Sequence, residues 1–282
     1  MLKKPDILAL KKAGFTLTDM HYHSKASDTF TKIPDILKRA SQLGINVAIT
    51  DHNVIHGNRE AYNNRHKVNI IPGIEISCIE GHHILVYFTT YELLDQFYNK
   101  HMKGRVSKKP HTLTNIATHE LLDWCEDFDC LTSAAHPFSV GQLNMGRNID
   151  RGFVKKNAID RINAIEAICG ATGNTASLKA LRLIHKTGKP FTGGSDGHAL
   201  NVLGSVVVAT RSHTTKGILQ EIRERRNLVI GQRVPWYAAI PSYLGIGLNH
   251  LPTLPSILRF KYNNLYKRNF RYYEEQLKKR LP

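Results

Sequence analysis

The sequence predicts an α/β fold built on a parallel sheet. Two observations carry this. Short apolar, β-branched runs alternate with segments of helical periodicity. Polar and ionisable residues gather where those runs stop, and that edge of an α/β sheet is where active sites are built.

The elements follow in order. Residues 15–23, FTLTDMHYH, alternate like a strand and end at two histidines. Residues 32–44, KIPDILKRASQLG, place Ile36, Leu37, Ala40 and Leu43 on one helical face, and Gly44 can close the helix. INVAITDH (45–52) reads as a short buried strand and GNREAYNNRHK (57–67) as a helix. VNIIPGIEISC (68–78) and HHILVYF (82–88) are two further strands. The second half repeats the rhythm. CLTSAAHPF ends as a strand with His136, AIEAICG is a strand and NTASLKALRLIHKTG a helix. PFTGGSDGH ends with Asp196 and His198, GSVVVATRS is apolar and β-branched, and TTKGILQEIRERR is helical.

Two segments interrupt this pattern. Residues 99–115 carry Lys100, Lys103, Arg105, Lys108 and Lys109 without an acid, which reads as a basic loop or small insertion. A solvated loop and a lid that contacts phosphate are both open. Beyond the first unit, residues 1–235, lies an extension, 236–282. In it Tyr262, Tyr266, Phe270, Tyr273, Leu277 and Leu281 recur in three- and four-residue steps, as on an amphipathic helix. Residues 259–282 hold eight Lys or Arg and two Glu. Docking on the first unit, self-association and contact with an anionic membrane surface all suit such a helix.

Composition sets the bounds. The 282 residues are 41% apolar, enough for one large core with an extension. The N-terminus shows no secretory signal, and the uncharged stretch 235–258 is broken by prolines, unlike a membrane-spanning helix. Cysteines 78, 125, 130 and 169 form no Cys-x-x-Cys, so reduced, structural thiols and a cytoplasmic location are expected. The net charge of +16 favours anionic partners: nucleic acid, an anionic membrane or a phosphorylated small molecule. With no Gly-x-Ser-x-Gly element and no Walker phosphate loop, serine hydrolase and nucleoside-triphosphatase chemistry lack support.

The ionisable residues carry the functional reading. Successive strand ends deliver His21 and His23, Asp51 and His52, Glu75, His82 and His83, His136, and Asp196 and His198. Each is unremarkable alone. Burying so many ionisable groups along one edge is costly unless they pair or bind metal, and mixed imidazole and carboxylate donors suit zinc, manganese or iron. His56, His66, His101, His111, His119, His185, His213 and His250 read as surface or structural residues.

As a set, DMHYHSKASD, AITDHNVIHG, PGIEISC with HHILVYF, SAAHPF and GGSDGHALNVLG resemble the PHP (polymerase and histidinol phosphatase) family, in its order, over about residues 15–235. The resemblance implies a distorted, TIM-like (β/α)7 barrel with up to three divalent ions at the strand ends. His21, His23, Glu75 and Asp196 would hold the first ion. Asp28, His52 and His198 would hold the second. Glu75 would bridge to a third held by His83 and His136. His83 is preferred to His82 because it directly precedes the apolar run. Asp19 and Asp51 are expected to orient histidines by hydrogen bonds. Asn53 departs from the family's Asp-His-Asp. Glu75, Asp196 and His198 are the expected catalytic residues, and Arg147 and Lys25 are candidates for substrate phosphate.

The implied activity is metal-dependent hydrolysis of a phosphate ester by a metal-activated hydroxide, on a small phosphorylated metabolite or nucleotide. A nuclease acting on phosphodiesters is the alternative, and a metal-bound scaffold without catalysis is a third reading.

Overall fold

The computed structural model describes residues 2–64, 68–106, 114–139, 144–235 and 254–278, with 237, 240, 244, 247, 248 and 251. Nine strands form one sheet: β1 Thr16–Tyr22, β2 Asn46–Ile49, β3 Ile70–Ser77, β4 His83–Phe88, β5 Cys130–Ala134, β6 Ala164–Cys169, β7 Phe191–Gly194, β8 Val206–Thr210 and β9 Leu228–Gly231. Their order is β7-β6-β5-β4-β3-β2-β1-β8-β9. The first seven thus lie side by side in chain order and curl into a distorted barrel. Closure comes from the segment after β7. The Asp196 N–H donates to the His21 carbonyl at 2.9 Å, and the His23 N–H donates to the Gly197 carbonyl at 3.0 Å.

The expectation of a parallel sheet holds for β1 with β2, β2 with β3, β5 with β6 and β6 with β7. It fails elsewhere. β4 runs antiparallel to both β3 and β5, β8 antiparallel to β1, and β9 antiparallel to β8. The cause at β4 is its short connection. Five residues separate Ser77 from His83, too few for the crossover that a parallel neighbour needs. The reversal has a consequence for position: His83, the first residue of β4, lies opposite Ser77, the last of β3.

Helices cover the outside of the sheet. α1 is Ile7–Lys12, α2 Ile33–Leu43 and α3 His56–Asn63. Gly44 ends α2 in the left-handed region, φ 64°, as its place after the apolar face implies. Ile36, Ala40 and Ala61 pack on Leu17, Val47 and Ile49. α4 Tyr91–Phe97 and α5 Thr118–Glu126 bury Leu94, Phe97, Leu121 and Leu122 against Ile74, Ile76, Ile84 and Phe88. α6 Met145–Asp150 and α7 Ala158–Arg161 follow. α8 Asn174–Thr187 and α9 Thr215–Arg223 place Ala180, Ile184, Ile218 and Ile222 over Ile165, Ile168 and Val206.

The basic stretch 99–115 begins as helix rather than loop, because a π-helical turn, Tyr98–Met102, prolongs α4. Its cations also find acids from α5 and just beyond it. Arg105 pairs with Glu120 at 2.5 Å and lies over the Trp124 ring, and Lys100 reaches Asp127 at 3.6 Å. Lys108 and Lys109 lie outside the described residues, as do His66, His111 and His250. In the C-terminal extension, α10 Leu254–Lys261, a π-helical turn Tyr262–Tyr266 and α11 Lys267–Lys278 run on without a break. The side chains of Leu277 and Leu281 fall outside the described residues.

Barrel closure leaves no room at Gly194. A Cβ there would meet the backbone nitrogen of His21 and lie 2.8 Å from its Cα. Gly194→Ala is expected to lower stability by about 3 kcal/mol through forced separation of the two backbones. Urea denaturation would measure this, and an unchanged midpoint would contradict close closure here.

Candidate metal centre

The site is built where the strands of one sheet edge stop. β1 carries a bulge between Asp19 and Tyr22, and β6 carries one between Glu166 and Ile168. Bulges re-aim side chains at barrel rims. Here they accompany two side chains that meet: His21 Nδ1 lies 2.9 Å from Glu166 Oε1. Backbone strain gathers at the same edge. Asn53, His136 and Asp196, three of the four non-glycine residues with positive φ among the described residues, adopt 58°, 27° and 51° here, a region uncommon for non-glycine residues.

Four ligand-type atoms converge first. His21 Nε2 lies 3.2 Å from His23 Nε2, 3.3 Å from Glu75 Oε2 and 3.5 Å from Asp196 Oδ1. His23 Nε2 lies 3.3 Å from Glu75 Oε2 and 3.2 Å from Asp196 Oδ1. A four-coordinate zinc with ligands at about 2.1 Å would set its donor atoms about 3.4 Å apart, so these spacings fit the edges of such a shell. Glu75 is fully buried, and its Oε2 has no hydrogen-bond partner, nor do His23 Nδ1 and His52 Nδ1. Unpaired buried polar atoms are costly. Arranged around shared points, they suit a cation.

The other donors extend the cluster. His52 Nδ1 lies 3.1 Å from Glu75 Oε2. Asp28 Oδ2 is 3.1 Å from His198 Nε2 and 3.5 Å from His52 Nε2, and its Oδ1 is 3.8 Å from His23 Nδ1. Glu75 turns its second oxygen the other way: Oε1 is 3.0 Å from His83 Nδ1 and 3.1 Å from His136 Nε2. All nine candidate ligands therefore meet in one contiguous cluster, with Glu75 between its two ends.

Charge and burial oppose each other throughout. Burial alone would push the Glu75 carboxyl up, but His52, His21 and His83 outweigh it and hold it well below the usual carboxylate range. Asp28 and Asp196 are likewise drawn down against their burial by nearby imidazoles. His23 resists burial through Asp196 and Glu75 and rises to about 10. In His52 burial dominates, pushing it down to about 3. The carboxylates thus demand positive charge, which protons on His21 and His23 supply when no cation does.

Glu166 escaped the sequence reading. It is buried in β6; one oxygen faces His21 Nδ1, and the other accepts the His136 backbone N–H at 2.6 Å. With its Nδ1–H donated to Glu166, His21 aims the Nε2 lone pair into the cluster. His198 is fixed similarly, with Nδ1 3.0 Å from the Asp196 carbonyl. The available signal was an acid inside the otherwise apolar run AIEAIC.

Asp19 and Asp51 act differently from expectation. Asp19 accepts the backbone N–H groups of Ser195, Gly204 and His21, at 2.9, 2.9 and 3.3 Å. Burial still raises its carboxyl to about 6. Asp51 accepts from the Ser24 N–H and hydroxyl and from Ser27. Both carboxylates hold ligand-bearing backbone rather than imidazole rings. Asn53 clips the end of β3, accepting the Ser77 N–H and donating to its hydroxyl.

His82 points away from the cluster. Its ring nitrogens meet Asn148 Nδ2 at 2.9 Å and Thr118 Oγ1 at 3.0 Å, and Thr118 donates to Glu80. Cys78, Glu80 and His82 lie close enough to resemble a further metal group, but hydrogen bonds already occupy the His82 nitrogens and the Glu80 oxygens. Lys25 and Arg147 are exposed. The Lys25 N–H donates to the Thr31 carbonyl, and the Arg147 N–H is capped by Asn144.

Two measurements test this geometry. Glu166→Gln is expected to weaken metal binding about 10- to 100-fold while the fold survives; unchanged affinity by chelator competition would remove Glu166 from the site. Metal must also displace protons from His21 and His23, so binding is expected to release protons and to weaken as pH falls below about 10, the value to which His23 is raised. Affinity independent of pH below that value would contradict the charge balance described above.

Comparison with known proteins agrees with the fold. Residues 19–173 match the PHP domain model and residues 174–227 the PHP-associated model. No curated protein matches the sequence. Among solved structures, an endonuclease Q from Pyrococcus furiosus is similar at 20% identity with a TM-score of 0.62, over 76% of this chain and 57% of that one. An endonuclease Q in complex with a 27-mer duplex bearing an abasic lesion gives 19% and 0.59, over 74% of this chain and 57% of that one. The chain thus spans little more than half of these two relatives. A protein of Bifidobacterium adolescentis, provisionally assigned as a metal-dependent phosphoesterase, gives 16% and 0.50, over 74% of this chain and 96% of that one. With one family model covering more than half of its residues and nine candidate ligands gathered at the rim of its barrel, the chain belongs to the PHP family.

Proposed function

We propose that residues 1–235 form a metal-dependent phosphoesterase that hydrolyses a phosphate ester of a small metabolite or nucleotide. The observation that carries this reading is the Glu75 carboxylate, whose two oxygens face two separate sets of imidazoles. That arrangement suits two or three adjacent divalent ions of zinc, manganese or iron. Such ions, when bound, supply Lewis acidity that makes water a nucleophile near neutral pH and offsets charge on phosphoryl oxygens.

The chain's own residues prepare that chemistry. Glu75, with Asp196 and His198, brings the groups together at the reacting edge. Glu166 and the Asp196 carbonyl fix the His21 and His198 rings, so donor atoms need no reorganisation when substrate arrives. Asp51 and Ser24 hold the loop that returns Asp28 to the cluster. The four cysteines are buried and free, and burial pushes the Cys78 and Cys169 thiols up, which argues against a thiolate nucleophile. Lys25, on the loop after His23, and Arg147, in helix α6 beyond His136, are the basic groups proposed to neutralise remaining substrate phosphate.

A second reading, cleavage of nucleic-acid phosphodiesters, is favoured by the net charge of +16 and by fold likeness to endonuclease Q. One experiment separates the two. Metal-stripped protein is resupplied with manganese, zinc or iron and offered phosphomonoesters, cyclic and linear diesters, nucleotides and oligonucleotides. Turnover of one small-molecule class is expected, lost without metal and reduced roughly a thousandfold in Glu75→Ala. Turnover confined to oligonucleotides would replace the first reading with the second. Full activity of metal-stripped protein would sink both.

A further inference from the structure

Eleven of the sixteen large hydrophobic side chains that stand exposed among the described residues lie between Tyr237 and Tyr273. Residues 235–258 contain no Lys, Arg, Asp or Glu. From Leu254 to Lys278 the chain is helical, and Leu254, Leu258, Tyr262, Tyr266 and Phe270 recur at every fourth position, each between 46% and 72% exposed. Such a row drifts about 40° per step in an α-helix. The wider π-helical turn at Tyr262–Tyr266 takes back part of the drift. One residue on from each member of the row stands a second exposed row that includes Arg259, Asn263, Lys267 and Arg271. The helix is tied to the body near its end: Arg151 donates to the Tyr273 hydroxyl, and Phe153 meets the Tyr272 ring edge-on at 5.6 Å.

An exposed apolar surface of this extent marks a contact surface. Charge chooses the partner. Residues 259–282 carry eight Lys or Arg against two Glu, so a second copy of this helix would set like charge against like. A nucleic acid would satisfy the cations but leave Leu254, Leu258 and the uncharged stretch before them unused. An anionic bilayer satisfies both rows, with apolar and aromatic side chains at the headgroup–acyl boundary and cations among the headgroups. No helix among the described residues is long and apolar enough to cross a membrane. We infer that the helix 254–278 lies on the surface of an anionic lipid membrane, with the row from Leu254 to Phe270 sunk into it.

The test is flotation of the full chain with vesicles of phosphatidylcholine, alone or mixed with phosphatidylserine. Binding is expected to the mixed vesicles and to weaken with salt. Lys267→Gln with Arg271→Gln is expected to weaken it roughly 25-fold, about fivefold per cation. Tyr266→Ser with Phe270→Ser is expected to abolish it. These side chains are exposed, so metal content and thermal unfolding of both variants should match the native chain. Three results would overturn the inference. One is no vesicle binding, or binding that ignores phosphatidylserine and the lost cations. Another is a solution dimer, without vesicle binding, that Tyr266→Ser with Phe270→Ser dissociates. The last is retention by oligonucleotides but not by vesicles.

Discussion

The buried carboxylate of Glu75 is the interaction around which the molecule is organised. A lone carboxylate in an interior costs several kcal/mol, and this one is tolerated because five imidazoles from four strand ends converge on its two oxygens. The dependence runs both ways. His21 and His23 are themselves fully buried, and their positive charge is admissible only because Glu75, Asp196, Asp28 and Glu166 are present. Proton or cation, something positive must sit there, and the spacing of the donor atoms suits a cation.

That requirement explains otherwise costly features of the barrel. Two bulges, three positive-φ residues and the close approach of Gly194 to His21 all fall at the same rim. Each costs stability locally. Together they point side chains from distant parts of the chain at a common volume a few ångströms across. The reversed strand β4 belongs to the same solution. Because it runs antiparallel, its first residue, His83, faces Glu75 from a position that a parallel strand would place at the opposite end of the barrel.

The molecule also separates its chemistry from its exposed apolar surface. The barrel buries its hydrophobic residues in packed clusters and turns polar groups to the rim. The C-terminal helix does the opposite, leaving leucines and aromatics in the open beside a row of cations. Its anchor, Arg151 and Phe153, follows directly on α6, the helix that bears Arg147 and follows the His136 strand.

Much of this was legible in the sequence. Periodicity located most of the strands and the main helices, and chemistry-bearing residues at strand ends marked the site, because a period of two or 3.6 and a polar stop are local properties of a chain. The family pattern grouped nine candidate ligands, and the structure brings the same nine side chains close together. Other features required the tertiary structure. The direction of β4 depends on which neighbours it pairs with. Glu166 has no local partner and meets His21 only across the closed barrel. Asp19 and Asp51, equally acidic and equally near the histidines in sequence, serve backbone N–H groups and a serine loop instead of imidazoles. Hydrogen-bond partners and burial are decided by residues far apart in the chain. The sequence therefore determined which groups could ligate, and folding decided which of them share an ion-sized space.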